Sequence, residues 1–266
     1  MRESMKQAIQ FVGAGPGDPE LITVKGQKLL ARADRIVYAG SLVPESLLEW
    51  CRADAERLSS AALTLEQTHS LLADGYHRGL LVVRLHTGDP ALYGAIHEQM
   101  VLLDEDGIPY EVVPGISAAF AAAAVLKQEL TLPEISQTVI LTRLGGRTPV
   151  PERERLQLLA QHQATLAIYL SVQNLADVIR ELVPAYPPDT PVVVAYRLGW
   201  PDQELVTGTI GDIVERVQPT GIRRQAMILV GAVFGAREQT GGKRSKLYDE
   251  DFHHGYRGPE AAPTRD

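Results

Sequence analysis

The chain has 266 residues, of which 45% are apolar and 22% are charged, so it is not a disordered chain and can bury a sizeable core. Its net charge of −7 argues against nucleic acid as the main partner, because proteins that neutralise phosphates are usually basic. The longest apolar run, residues 118–126, is too short to cross a bilayer, and the polar first ten residues do not resemble a signal peptide. With a single cysteine and therefore no internal disulfide, we expect a cytoplasmic protein without a membrane partner.

The first half of the chain predicts strands that alternate with helices. Strands are predicted at residues 9–12, 36–38, 80–85 and 110–113, and helices at 21–33, 44–51, 64–76, 96–106 and 117–127. Thr64 and Gln67 have the spacing of a capping box, and Gly107 stands where a glycine would end a helix. This alternation is typical of a mainly parallel sheet that helices cover on both faces.

A polar segment that contains proline, residues 128–136, interrupts the alternation. Strands are then predicted at 138–142, 165–170, 192–196, 204–206 and 226–230, with helices at 153–162 and 175–183. The turn at residues 199–202 is short enough to make its two strands antiparallel. The sequence therefore predicts an α/β protein with a mainly parallel first sheet and a mixed second sheet. We place one domain at residues 1–130, a second at 131–236, and a polar, flexible tail at 237–266.

Three glycine-rich loops follow predicted strands, at residues 13–18, 86–94 and 114–118. Ligands of open α/β sheets bind outside the carboxyl ends of the strands, so the loops can share one pocket. The first loop departs from the nicotinamide-binding pattern, because Asp18 replaces the third glycine and Pro16 lacks a backbone N–H. Asp89 offers a carboxylate to a ligand, and capping of the next helix is its alternative role. A set of turns that only serve the fold is the alternative to a small-molecule site.

The motifs of these loops resemble those of the tetrapyrrole (corrin and porphyrin) methyltransferase family. Residues 13–23 read Gly-x-Gly-Pro-Gly-Asp-Pro-x-Leu-x-Thr, residues 88–90 read Gly-Asp-Pro with Tyr-Gly at 93–94, and residues 114–117 read Pro-Gly-Ile-Ser. The resemblance covers residues 8–235. Segments 38–43, 140–143, 146–152, 200–202 and 225–229 are similar to the branch of the family that methylates carbon 11 of precorrin-4, or of its cobalt-containing counterpart, in cobalamin synthesis. The forms at residues 88–94 and 146–152 favour the cobalt-containing, anaerobic route.

The resemblance implies that S-adenosyl-L-methionine binds in a cleft between the two domains and that the protein is a homodimer. The positions that match the family's cofactor contacts are Pro16, Thr87, Gly88, Asp89, Leu92, Ser117, Ala118, Leu170, Tyr196, Arg197 and Met227. Methyl transfer from a sulfonium is an in-line displacement that depends mainly on positioning, so it needs no covalent nucleophile and no metal. The sequence has no His-Cys cluster, and we predict no metal site.

The acceptor of such a reaction is a tetrapyrrole that carries several carboxylates. Arg143 and Arg147 flank a glycine pair between the domains and are the candidates for binding these carboxylates, while solvated loop arginines are the alternative. No catalytic side chain is assigned. His86 is the one candidate, since it could remove a ring proton after methylation, and a structural histidine is its alternative role.

Two other functions stay open at the level of sequence. One is methylation of another tetrapyrrole, such as uroporphyrinogen III, by an enzyme of the same family. The other is a non-catalytic module that binds a nucleotide, because positioning leaves little side-chain signature for catalysis.

Overall fold

In the computed structural model, the chain forms two five-stranded sheets with helices packed against them. The structure describes residues 7–236 together with residues 245, 247, 252 and 253. Most of the predicted tail, 237–266, therefore lies outside the described residues. No helix in the described part of the chain combines the length and the apolar character that a bilayer-spanning helix requires.

The first sheet is entirely parallel and has the strand order β3-β2-β4-β1-β5. Its strands are β1 (Ile9–Gly13), β2 (Arg35–Tyr38), β3 (Glu56–Ser59), β4 (Val82–His86) and β5 (Tyr110–Val113). Its helices are α1 (Val24–Leu30), α2 (Leu65–His77), α3 (Ile96–Glu105) and α4 (Ala118–Leu126). Because β1 pairs with both β4 and β5, the carboxyl ends of these three strands are neighbours.

The second sheet is mixed, with the order β6-β7-β10-β8-β9. Its strands are β6 (Val139–Arg143), β7 (Thr165–Tyr169), β8 (Pro191–Tyr196), β9 (Glu204–Thr209) and β10 (Ala226–Val230). The helices α5 (Leu156–Ala160), α6 (Leu175–Leu182) and α7 (Ile213–Val217) accompany it. β6 and β7 run parallel, and the other neighbouring strands run antiparallel. The predicted fold class is thereby confirmed, while the domain boundary at residue 130 stays a prediction.

Three predicted helices differ in length or type from those observed. A 3₁₀ turn, Pro19–Leu21, precedes α1, and Thr23 caps α1 by accepting a hydrogen bond from Gly26 N at 3.1 Å. The helix predicted at 44–51 is a 3₁₀ helix, Glu45–Trp50, and the one predicted at 153–162 is a 3₁₀ turn, Glu152–Glu154, followed by the short α5. The side chain of a threonine bonds to nearby backbone groups and so favours a helix start over a helix interior.

Two short elements were missed, and two local signals were confirmed. β3 is an edge strand with one apolar residue, Leu58, so it shows no alternation, and α7 has only five residues. The capping box is present, with Gln67 N donating to Thr64 Oγ1 at 3.3 Å and Thr64 N donating to Gln67 Oε1 at 2.9 Å. Gly107 follows α3 with a φ of 65°, as expected of a glycine that ends a helix.

A buried arginine in the first sheet is paired with two carboxylates whose charge depends on pH. Arg35 is 4% exposed and its guanidinium bonds to Glu56 at 2.6 Å and to Asp74 at 2.8 Å. Its hydrogen bonds lower the pKa of both carboxyl groups. A carboxylate with a lowered pKa stabilises the fold above its unfolded pKa of about 4, and this contribution disappears as the pH falls through the folded value.

We therefore expect the melting temperature to fall as the pH is lowered below about 5. The variant Glu56→Gln should have a lower melting temperature at pH 7 and a weaker dependence on acid, which thermal unfolding monitored by circular dichroism at several pH values would measure. An identical acid dependence in the variant and the unsubstituted protein would contradict this explanation.

Candidate functional site

The three glycine-rich loops touch one another at the carboxyl ends of β4, β1 and β5. Gly88 N donates to Gly15 O at 2.7 Å, and Gly15 N donates back to Gly88 O at 3.2 Å. A Cβ atom on Gly115 would lie 2.1 Å from Gly88 O, and one on Gly13 would lie 2.6 Å from the Gly115 Cα. Only glycine fits at these positions, because the backbones themselves are in contact.

Asp89 connects the second loop to the third. One carboxylate oxygen accepts a hydrogen bond from Ala91 N at 2.8 Å, and the other accepts one from Gly115 N at 3.0 Å. The N-cap position of α3 is occupied by Ala95, so the alternative in which Asp89 caps that helix is wrong. Asp89 instead fixes the position of the third loop relative to the second.

A cavity of about 840 Å³ lies beside these loops and is lined by residues of both halves of the chain. Its volume is within the range of small-molecule sites. Every residue at which the sequence predicts a cofactor contact lines this cavity: Pro16, Thr87, Gly88, Asp89, Leu92, Ser117, Ala118, Leu170, Tyr196, Arg197 and Met227. The structure thus brings the whole predicted set together, and its contact with a cofactor stays a prediction.

Residues in left-handed backbone conformations are concentrated around this cavity. Tyr93 (φ 56°), Leu170 (φ 55°), Arg197 (φ 43°) and Gln225 (φ 55°) all line it, and none of them is glycine. Leu170 also leaves 74% of its surface exposed, which is unusual for a leucine at the end of a buried strand. Such conformations cost free energy and are found preferentially where a backbone is shaped for a ligand.

The two halves of the chain are hydrogen-bonded to each other within the cavity lining. The hydroxyl groups of Ser117, which begins α4, and Tyr169, which ends β7, share a short hydrogen bond. Trp200 Nε1 donates to Pro16 O at 3.3 Å. The Arg197 guanidinium lies 4.0 Å from the centre of the Trp200 ring, where a cation and an aromatic face attract each other. These contacts hold the second sheet against the glycine-rich loops.

The polar cavity residues that the sequence did not identify include two tyrosines and two arginines. Tyr93 and Tyr169 face each other with ring centres 5.3 Å apart, and the exposed Arg223 and Arg224 lie on the segment before β10. Each tyrosine is the sequence neighbour of a predicted contact, and the two adjacent arginines stand just before a predicted strand. These were the signals that could have identified them.

The two predicted acceptor-binding arginines are not among the residues that line the cavity, and they differ in their bonding. Arg143 donates to the carbonyl oxygens of Thr148 at 2.9 Å and Pro149 at 2.8 Å, so its guanidinium holds its own loop. Burial raises the pKa of the Tyr93 hydroxyl, and the Arg143 charge acts in the opposite direction, which places this guanidinium near the cavity. Arg147 is exposed, and no ion pair involves it within the described residues.

The environment of His86 favours a structural role over catalysis. β4 extends one residue further than predicted and includes His86, whose side chain is only 4% exposed and stacks on Phe11 with ring centres 5.9 Å apart. Burial, assisted by the Arg84 charge, lowers the pKa of His86 to about 3. His86 is also not among the residues that line the cavity. A ring that reaches neither solvent nor the cavity is poorly placed to accept a proton from a ligand.

A second cavity, of about 850 Å³, adjoins the first and shares Pro16 and Asp89 with it. It extends over α4 onto exposed apolar side chains, among them Phe120, which is 57% exposed, Val125 and Leu141. An exposed apolar surface of this kind is typical of a binding face. No group of three His, Cys, Asp or Glu side chains is positioned to hold a metal ion in the part of the chain that the structure describes.

Comparison with known proteins relates this site to methyltransferases. The sequence profile of the Tetrapyrrole (Corrin/Porphyrin) Methylases matches residues 8–214. A precorrin-4 C(11)-methyltransferase of Pseudomonas aeruginosa is 54% identical over 94% of this chain and 98% of its own length. The solved structure of a cobalt precorrin-4 methyltransferase superposes with a TM-score of 0.85 at 48% identity, over 88% of this chain and 98% of the other.

A third similar protein was solved with a ligand. It is a uroporphyrin-III C-methyl transferase from Thermus thermophilus in complex with S-adenyl homocysteine, with a TM-score of 0.73 and 26% identity over 86% of this chain and 100% of the other. The profile match spans well over half of the sequence and includes all three glycine-rich loops. The chain belongs to the tetrapyrrole (corrin/porphyrin) methylase family.

Proposed function

We propose that this protein transfers the methyl group of S-adenosylmethionine to carbon 11 of precorrin-4 or cobalt-precorrin-4, a step of cobalamin biosynthesis. The observation that carries the proposal is the convergence of all predicted cofactor contacts, from both halves of the chain, on one cavity. The names of the relatives with 54% and 48% identity support the substrate and the position of methylation. A cytoplasmic location, and the absence of nucleic acid and membrane partners, remain predictions.

The residues present fit S-adenosylmethionine. Gly88 lines the cavity and Gly115 lines the adjoining one, so at these points the loop backbone carries no side chain and a ligand can approach it closely. Leu92, Ala118 and Met227 supply apolar surface for the uncharged parts of the ligand. When bound, the cofactor supplies a methyl group that its positive sulfur activates. The chain's own contribution is to hold both partners at bonding distance and to exclude water.

Incubation of the purified protein with labelled S-adenosylmethionine and each candidate acceptor tests the proposal. We expect label in precorrin-4 or in cobalt-precorrin-4, and the preferred acceptor decides whether the substrate carries cobalt. Label that enters only uroporphyrinogen III would identify a different member of the family. Binding of S-adenosylhomocysteine in calorimetry without transfer to any acceptor would favour the non-catalytic alternative, and heat with NAD alone would contradict the choice of cofactor.

The acceptor's carboxylates are the proposed ligands of Arg147 and Arg143. We expect Arg147→Ala to raise the KM for the acceptor by roughly 10- to 150-fold, since a hydrogen bond to a charged group contributes about 1.5–3 kcal/mol. Arg147→Lys should restore only part of the affinity, because lysine keeps the charge but lacks the planar fork. Arg143→Ala should also loosen the loop, because the Thr148 and Pro149 carbonyls lose their donor.

Steady-state kinetics with varied acceptor measures these effects, and calorimetry with S-adenosylhomocysteine is the control. Cofactor affinity should be unchanged in Arg147→Ala. If both alanine variants keep the original KM, the carboxylates are bound elsewhere. An equal loss of cofactor affinity would assign the residue to the cofactor site or to the fold.

A homodimer is part of the proposal and rests on the family resemblance and on the exposed apolar face of α4. Phe120 and Val125 on that face, with Leu141 on β6, would be covered by a second copy of the chain. Light scattering at micromolar concentration should give twice the chain mass of 29.0 kDa. Phe120→Glu should shift the mass towards that of one chain, and a monomeric mass for the unsubstituted protein would refute the dimer.

A further inference from the structure

The first sheet buries a cation that has only neutral partners. Arg84 is the middle residue of β4 and is 7% exposed. Its guanidinium donates to Gln99 Oε1 and to Ser60 Oγ, each at 2.9 Å, and to Val37 O at 3.2 Å. No ion pair with Arg84 occurs among the residues that the structure describes. Burial lowers the pKa of Arg84 to about 10, so the group is still charged at neutral pH.

The other buried arginine of this sheet shows what a purely stabilising arrangement looks like. Arg35 begins β2, at the opposite end of the sheet from the glycine-rich loops, and it pairs with the carboxylates of Glu56 and Asp74. A buried charge is tolerated best when it is paired in this way. Arg84 lacks such a partner, and its hydrogen bonds run to segments that border the cavity, so its role calls for a different explanation.

The hydrogen bond from Arg84 to Gln99 connects the guanidinium to the turn that carries Leu92 and Tyr93. A guanidinium only donates hydrogen bonds, so Gln99 must turn its carbonyl oxygen towards Arg84 and its NH₂ group away. That NH₂ group donates to Ala95 O at 2.8 Å. Ala95 and Tyr93 have left-handed backbones, with φ of 49° and 56°, which persist only where the surroundings fix them. The Gln99 amide thus stabilises a turn whose backbone is strained.

The other hydrogen bonds of Arg84 connect it to the end of β2 and to the segment that follows. Arg84 donates to Val37 O and to Ser60 Oγ, and the Ser60 hydroxyl in turn donates to Tyr38 O at 3.1 Å. Residues 40–45, which follow directly, line the cavity on their own side. One buried guanidinium is therefore linked to two walls of the same cavity.

We propose that Arg84 is a positioning residue for methyl transfer, which acts through Gln99 and Ser60 to hold two walls of the cofactor cavity in place. The inference rests on the proposed function, since it assigns the positioned turn to the binding of S-adenosylmethionine. Arg84 itself touches neither substrate nor cofactor in this role.

The variant Gln99→Glu distinguishes a positioning role of Arg84 from a purely stabilising one. The new carboxylate gives Arg84 a charged partner, so the melting temperature should stay the same or rise. The same change removes the donor to Ala95 O and leaves that carbonyl facing a carboxylate. We expect the Kd for S-adenosylhomocysteine to rise and kcat to fall by about tenfold each, the effect of losing one hydrogen bond that holds the turn. Arg84→Lys should act in the same direction, because one ammonium group cannot reproduce the fork.

Glu56→Gln is the matched control, since it replaces a carboxylate by an amide beside the other buried arginine. It should lower the melting temperature and leave the Kd and kcat unchanged. Gln99→Glu with an unaltered Kd and kcat would overturn the inference, as would losses no greater than those in Glu56→Gln. If the unsubstituted enzyme methylates no precorrin acceptor, the proposed function fails, while the calorimetric Kd of Gln99→Glu still decides the role of Arg84.

Discussion

Gly115→Ala is expected to abolish cofactor binding while Gly146→Ala leaves it intact. A Cβ atom on Gly115 would lie 2.1 Å from Gly88 O, and the nearby Gly13 Cα and carbonyl carbon lie within 3 Å of the same point. These atoms belong to backbones that are tied to adjacent strands, so no flexible side chain can move aside. The third loop must shift away from the second, and the cavity that both loops line changes shape.

We expect Gly115→Ala to weaken binding of S-adenosylhomocysteine by about 100-fold or more, and to lower the free energy of unfolding by roughly 1–3 kcal/mol, as overpacking typically does. Calorimetry and urea unfolding measure the two effects. At Gly146 the same substitution meets nothing within 4 Å and no left-handed backbone, so stability should change by no more than about 0.5 kcal/mol. Equal affinities in the two variants would show that close contact of the loops is not what shapes the site.

Features that depend on neighbouring residues were predictable from the sequence. The glycine-rich loops, the strands before them and the capping box at Thr64 each follow from residues a few positions apart. The resemblance then placed the predicted contacts on residues that the structure brings to one cavity. β3 was not predictable, because a solvated edge strand with Leu58 as its one apolar residue has no hydrophobic pattern.

Contacts between distant residues decided the outcomes that the sequence left open. The side chain of His86 is buried against Phe11, on a different strand, and no local pattern at residues 82–94 indicates this. Arg143 donates its hydrogen bonds to carbonyl oxygens of its own loop. This geometry depends on how residues 144–149 fold back. The link from Arg84 through Gln99 to Ala95 joins a strand to the start of a helix, and neither residue type suggests it alone.

Asp89→Ala is expected to weaken binding of S-adenosylhomocysteine by roughly 10- to 150-fold, because the bond from Gly115 N to the charged carboxylate contributes about 1.5–3 kcal/mol. The loss acts through the loops, since the two carboxylate oxygens accept from Ala91 N and Gly115 N. Without the carboxylate, the third loop is no longer tied to the second. Asp89→Asn should rescue little, because both partners are donors and an amide can offer an acceptor to only one of them.

Asp212→Ala is the control, because Asp212 is a carboxylate that accepts a backbone hydrogen bond away from the cavity. Asp212 accepts from Thr209 N at 2.7 Å and pairs with Arg216, and it does not line the cavity. Its removal should lower stability and leave the Kd unchanged. If Asp89→Ala and Asp212→Ala behave alike, Asp89 only stabilises its turn. If Asp89→Asn binds as tightly as the unsubstituted protein, the bond to one loop suffices, and the tie between the second and third loops is not what the cofactor requires.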